Sequence, residues 1–179
     1  VIRGGRGVYD RFRGRLMFTL KDHRGQVVGF SGRLLDRDAK EAKYINTSET
    51  PVYVKSRVLF GLDVTKDAIQ KAQEAIVMEG ELDVISSFQA GISNVVAIKG
   101  SAVTEEHARL LKRFAERLVF ALDSDLAGDA AARRGIEIAD KSGFDMRVAK
   151  MPSGKDPDDA VREDPVAFKK AIKHATAMY

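Results

Sequence analysis

The 179-residue chain has no cysteine, only three histidines and only four prolines. Without cysteine there is no disulfide framework and no thiolate zinc site, and the composition suits a reducing compartment. His23, His107 and His174 are scattered, so each reads as a surface or packing residue, and no Ser–His–Asp arrangement is visible. No apolar run approaches the ~20 residues of a membrane span, and no signal peptide stands at the N-terminus. Neither internal repeats nor low-complexity tracts occur. Val1 in place of an initiator methionine points to an excised or processed chain. What is present, 44% hydrophobic and 31% charged residues, suffices for one good-sized core or two small ones.

The charge is unevenly placed. Residues 1–72 hold 15 Lys and Arg against 8 Asp and Glu, a net +7, and the remainder holds 15 against 18, a net −3. A basic first part suits phosphates and an acidic second part suits cations, although segregated surface charge also occurs without function. The predicted division lies near Ala72–Glu74, giving a basic unit over 1–72 and an acidic unit over 73–179.

Val1 to Val8 reads as irregular. Arg11, Arg13 and Arg15 alternate, which would place them on one side of an extended segment. Leu16–Leu20 and Val27–Leu35 read as strands joined by an Asp22–Gly25 turn, a β-hairpin from which Arg33 projects. Gly29 and Gly32 inside the second strand mark a bulge or a close approach. Lys43–Pro51 and Val52–Gly61 mix Lys43, Tyr44, Asn46, Tyr53, Lys55 and Arg57, a pattern that suits a polyanion as well as half-buried packing tyrosines.

Beyond a helix over Thr65–Ala72, the chain alternates. Strands are predicted at Ala75–Met78, Asn94–Ile98, Leu118–Leu122 and Met146–Lys150. Helices fall near Asp83–Ala90, Thr104–Ala115, Asp129–Ser142 and Pro165–Ala175. Gly91 and Gly143 sit where helix ends favour a left-handed residue. This alternation argues for a mostly parallel sheet flanked by helices, an α/β fold, preceded by a smaller basic α+β unit with a hairpin.

The chemistry concentrates at strand ends. Ala75–Met78 is followed by Glu79-Gly80-Glu81-Leu82-Asp83, and Leu118–Leu122 by Asp123-Ser-Asp125-Leu-Ala-Gly128. A loop past the fourth strand carries Asp156-Pro157-Asp158. Carboxylates beyond the C-terminal ends of parallel strands stand where open α/β sheets bind ligands. Packed together they repel unless cations intervene, and an oxygen-only donor set suits Mg²⁺ or Mn²⁺. Two such ions can clamp the attacking and leaving oxygens of phosphoryl transfer.

The acid pair, Glu79-Gly80 with Asp83 and the DxDxxG of Asp123 to Gly128, resembles the TOPRIM domain over about residues 73–160. The flanking motifs narrow the resemblance. Tyr9–Phe18, Gly25–Arg33, Lys43–Pro51 and Lys55–Leu62 look like the RNA polymerase core of bacterial DnaG-type primases, and Asp156-Pro-Asp158 fits the same family. The resemblance implies a TOPRIM-type α/β fold and a DNA-directed RNA polymerase that makes short RNA primers on single-stranded DNA. It implies metal at Asp123, Asp125, Asp156 and Asp158, with Glu79 as ligand or acid–base group. It places Arg13, Arg15, Arg33, Lys43, Lys55 and Asn46 in a groove for DNA and NTP.

Mg²⁺ or Mn²⁺ is the cofactor it implies, and zinc is not expected here. Implied partners are single-stranded DNA, NTPs, the RNA primer and, through a C-terminal region absent here, the replicative helicase, with no membrane. The implied place is the bacterial cytoplasm, at the replication fork. A zinc-binding domain and more of the basic subdomain are also absent, so the chain alone is expected to bind metal and DNA weakly and to prime poorly. Two departures stand out, Thr19 where a proline is usual and Lys99 where an uncharged residue is usual. Rival readings are a TOPRIM metal-dependent nuclease, a non-catalytic metal-stabilised DNA-binding module and a nucleotide-sensing domain. A topoisomerase is disfavoured because Tyr9, Tyr44, Tyr53 and Tyr179 lack a nucleophile's context.

Overall fold

A computed structural model describes residues 2–4, 7–36, 38, 40–99, 102–121, 130–151 and 155–177. It begins with a small antiparallel pair, β1 (Ile2–Gly4) and β2 (Gly7–Tyr9), in register Ile2↔Tyr9. The described residues of the start expected to be irregular therefore form strands. Two three-residue, glycine-flanked strands are too short to show periodicity, which is why the pattern missed them.

The hairpin is confirmed as β3 (Arg15–Lys21) and β4 (Val27–Leu34), and β5 (Tyr44–Asn46) adds on β4 to complete an antiparallel sheet ordered β3-β4-β5. The Asp22 carboxylate accepts from the amides of Arg24 and Gln26, both at 2.9 Å, which closes the turn. Both glycine readings hold. A register shift falls opposite Leu20/Lys21, and a Cβ on Gly32 would stand 2.9 Å from the Phe12 ring. The arginine row does not. Residues 11–14 form a turn, and Gly14 adopts φ 63°, so Arg11, Arg13 and Arg15 do not share one side of a strand.

A 3-10 turn (Lys55–Arg57) leads to β6 (Leu59–Phe60) and α1 (Leu62–Ala72). There follow β7 (Glu74–Met78), α2 (Glu81–Gln89), β8 (Val95–Ile98), α3 (Glu105–Leu111), β9 (Arg117–Phe120), α4 (Ala130–Lys141) and β10 (Asp145–Val148). Helices α5 (Pro157–Glu163) and α6 (Pro165–Lys173) and a short β11 (Thr176–Ala177) complete the order. The large sheet runs β11-β10-β9-β7-β8-β6. Strands β7 to β10 are parallel, and β6 and β11 are antiparallel edges.

Alternate residues of the central strands feed two cores. On one face Ala75, Val77, Val96, Leu118 and Phe120 meet Leu62 and Ile69 of α1, Ala108 and Leu111 of α3 and Ala139 of α4. On the other, Ile76, Met78, Val95, Ala97 and Val119 meet Val84 of α2, Ala160 and Val161 of α5 and Phe168 of α6. Burial on both faces explains why these strands read as unbroken apolar runs. Leu59, Leu62 and Ile69 belong to the first core, so β6 and α1 pack on the large sheet although they precede the expected division at 72/73.

Candidate functional site

The parallel strands lie in the order β10-β9-β7-β8, so the chain reverses direction across the sheet between β7 and β9. Open α/β sheets bind ligands at such a switch point, outside the carboxyl ends of the strands. Register pairs Val77 with Phe120, and the Ala121 amide donates to the Val77 carbonyl at 3.0 Å. Glu79 leaves β7 beside that point, half-buried. Asp123 and Asp125, two and four residues past Ala121, lie outside the described residues.

The rest of the first acidic motif is committed to structure. The Asp83 carboxylate accepts from the Gly80 amide at 2.9 Å, capping α2, and from the Asp158 amide at 3.2 Å. A Cβ on Gly80 would lie 3.1 Å from that carboxylate, so a side chain there would crowd the cap. The loop expected around Asp156–Asp158 turns into α5 at Pro157, which can open a helix because its missing N–H is not needed there. Asp156 is the N-cap, accepting from the Asp159 amide at 2.7 Å. Asp158 accepts from the Ser86 hydroxyl and, at 2.7 Å, from Arg162. Among the described residues no group of three His, Cys, Asp or Glu side chains is arranged to hold a metal ion.

The small sheet faces this edge. Ser31↔Asn46 and Arg33↔Tyr44 are directly opposed in the β4–β5 register, so these four side chains project from one face. Arg33 donates to the Tyr44 hydroxyl at 3.2 Å, and its guanidinium lies 5.7 Å from the ring centre. Burial pushes the Tyr44 hydroxyl pKa up. The carboxylates of Glu81 and Asp83 push it the same way, against Arg33. Asn46 Oδ1 is buried without a hydrogen-bond partner. Lys43 and Lys55 are exposed, and Arg13, also exposed, stacks its guanidinium 4.8 Å from the Tyr9 ring centre.

Arg15 differs from its neighbours. Its side chain is 2% exposed, and Nη1 donates to the carbonyls of Gly32, Ala42 and Lys43 while Nη2 meets Glu41 at 3.2 Å. It holds the strand-to-strand connection and is not open to an incoming phosphate.

Two buried residues were missed as a pair. Lys99, at the end of β8, is 8% exposed and forms an ion pair with Glu81, which is 1% exposed. Each had been met in the sequence, but no spacing rule links positions 81 and 99. A separate cleft of about 420 Å³ lies at the opposite edge of the sheet, among Glu74, Asn94, Arg117 and Lys169, and contains none of the candidate site residues.

Known families match two successive parts of the chain. The family described as DNA primase catalytic core, N-terminal domain, matches residues 2–66, and the Toprim-like family matches 76–161. A DNA primase of Listeria monocytogenes is 46% identical over 166 residues, covering 92% of this chain and 26% of its own length. The structure of a DnaG primase catalytic domain bound to single-stranded DNA superposes with TM-score 0.87 at 36% identity, covering 98% of this chain and 58% of that one. The RNA polymerase domain of Mycobacterium tuberculosis primase DnaG gives TM-score 0.85 at 38% identity, with coverage of 98% and 60%. The chain thus spans 24–30% of the length of the first curated relatives it matches.

Proposed function

Because the chain belongs to the DnaG-type primase family, aligning with its TOPRIM-containing catalytic core, we propose that it carries the polymerising centre of a DNA-directed RNA polymerase. Its product would be short RNA primers on a single-stranded DNA template, for replication. The supporting observation is the juxtaposition of opposites. The Arg33–Tyr44–Asn46 face stands against the Glu81–Asp83 start of α2, directly after Glu79 at the switch point.

In this reading residues 1–72 supply the template and nucleotide groove, and 73–179 supply the acids. Glu79, Asp123 and Asp125 would hold divalent metal, Mg²⁺ or Mn²⁺, and the chemistry of the donor set, oxygen without His or Cys, fits such hard ions. When bound, the metal supplies charge neutralisation at the reacting phosphate and lowers the pKa of the attacking hydroxyl. Asp156 and Asp158 would join through the oxygens not used for capping and for Ser86 and Arg162.

The protein's own groups do the positioning. Arg13, Arg33, Lys43 and Lys55 meet template and NTP phosphates. Tyr44 offers a ring on which a base can stack, and the unpartnered Asn46 Oδ1 accepts from a base or sugar donor. Arg15 keeps the β4–β5 connection in place. Aligning a primer 3′-hydroxyl with an NTP α-phosphate then lets pyrophosphate leave. The setting is the cytoplasm at the replication fork, with the replicative helicase as a further partner, and this chain alone primes poorly.

The test uses the full-length protein that contains this chain, with single-stranded template, NTPs and Mg²⁺. Labelled RNA should appear. Glu79→Gln should lower its rate by about 100-fold or more while template affinity changes less than about twofold. Cleavage of the DNA with no RNA made would overturn the reading.

A further inference from the structure

The ammonium of Lys99 reaches two separate parts of the molecule. It pairs with Glu81 in the first turn of α2 and lies 3.3 Å from the hydroxyl of Ser31 on β4. All three residues are buried, Ser31 completely. A charge taken out of water is costly unless its partners are well placed, so this contact has little freedom to slide.

Its location gives it consequence. Glu81 is two residues past Glu79, and Gly80 between them is pinned by the Asp83 cap. Ser31 is directly opposite Asn46 and two residues from Arg33, on the face that also carries Tyr44. The single ammonium therefore joins the segment that presents the acid to the row that presents the candidate nucleotide-binding side chains. Other described contacts of the hairpin with the rest of the fold use different residues, among them the edge-to-face pair of Phe18 and Phe60, centroids 6.3 Å apart, the Lys21–Asp63 pair at 3.5 Å, and Lys66 on the His23 carbonyl at 3.1 Å.

We propose that Lys99, with Glu81 and Ser31, is a positioning device that sets the register between the β4–β5 binding face and the acidic end of β7. The proposal rests on the polymerase reading for its functional consequence and on geometry alone for the docking itself. Lys99 touches no substrate in this assignment. It acts through Ser31 on Asn46 and Arg33, and through Glu81 on the Glu79 turn. Misplacing reacting groups by about 1 Å is enough to cost up to about 100-fold in rate.

Two variants test it. Lys99→Met combined with Glu81→Leu removes both charges and leaves neither one buried alone. Ser31→Ala keeps the ion pair and removes only the bond between the sheets, so it remains informative if the double variant fails to fold. In either variant, amide exchange at Gly32–Arg33 and Tyr44–Asn46 should speed up about tenfold, with β7 and β9 amides unchanged. In the full-length protein the NTP KM should rise about tenfold, while metal affinity and single-stranded DNA affinity each stay within about twofold. A merely structural role would shift the unfolding midpoint without that selective KM change. Wild-type exchange at β4–β5, or faster exchange with an unchanged KM, overturns the proposal. If the unaltered protein makes no RNA, the polymerase reading fails, and the exchange rates alone still decide whether Lys99 docks the sheet.

Discussion

The six-stranded sheet is covered on both faces by helices and buries two large apolar clusters, whereas the three-stranded sheet shares one cluster of Leu20, Tyr53 and Val58 backed by Phe60 from the large sheet's edge strand. The first region can hold its own shape, because apolar burial scales with the area removed from water. The second borrows its order from the first. Such a division places the acid-bearing strand ends on the stiff part of the molecule. The groups expected to meet a flexible polyanion sit on a part held by few contacts. In sheets so unequal, a few joining side chains decide how the two halves of a site face each other.

Four substitutions probe that contrast, in descending order of effect. Leu118→Ala, at the centre of β9 and fully buried, should remove about 2–5 kcal/mol in urea unfolding and destabilise both regions together. A loss confined to the small sheet would show that the large core is less unified than its packing implies. Phe18→Ala should cost about 2 kcal/mol or less globally, since its T-shaped contact with Phe60 joins the two sheets and does not fill the main core. Its larger effect should be local, a fall of roughly tenfold in single-stranded DNA affinity by anisotropy, with the melting of the large sheet nearly unchanged.

Asp156→Ala removes the N-cap of α5 and should lower stability by about 1 kcal/mol in the same unfolding assay, without touching the small sheet. The smallest effect is expected at Asp145, where hydrogen bonds from Arg117 and then Arg147 hold the carboxyl below its ordinary value of 3.8. A depressed folded-state pKa contributes stability that is present above the unfolded value and is lost as pH falls through the folded one. The pair is open to solvent, so Asp145→Asn should change stability by less than about 0.5 kcal/mol near neutrality, with the difference from wild type vanishing in acid melts.

Tyr53 sharpens the comparison from the other side. Its ring is 1% exposed and its hydroxyl has no hydrogen-bond partner, with burial pushing its pKa up to about 12. Here the packing reading of a half-polar aromatic prevails over the nucleic-acid reading, whereas Tyr44, on the proposed binding face, keeps both open to use.

The elements most visible in the sequence were those with the most uniform surroundings. Strands β7, β8 and β9 were legible as apolar runs because both faces are buried, and the helices that follow them because their apolar residues recur with helical spacing. Gly91 and Gly143 were legible as helix ends and adopt φ of 82° and 76°. The β1–β2 pair, β6 and β11 were not, since strands of two or three residues carry too few positions to establish a period. The stretch Asp156–Asp158 reads as loop in sequence, whereas Pro157 occupies the first helical position of α5. Arg15 looked like its neighbours Arg11 and Arg13, and only packing separates it from them.

From the chain alone came the α/β alternation, the acids placed after strand ends, and a basic segment ahead of them, because each of these is written in neighbouring residues. Only the folded structure decided which strands lie side by side, that the reversal falls between β7 and β9, and that Lys99 bridges Glu81 and Ser31. Those facts depend on contacts between residues distant in sequence, which form when two sheets exclude water between them and have no local pattern to announce them.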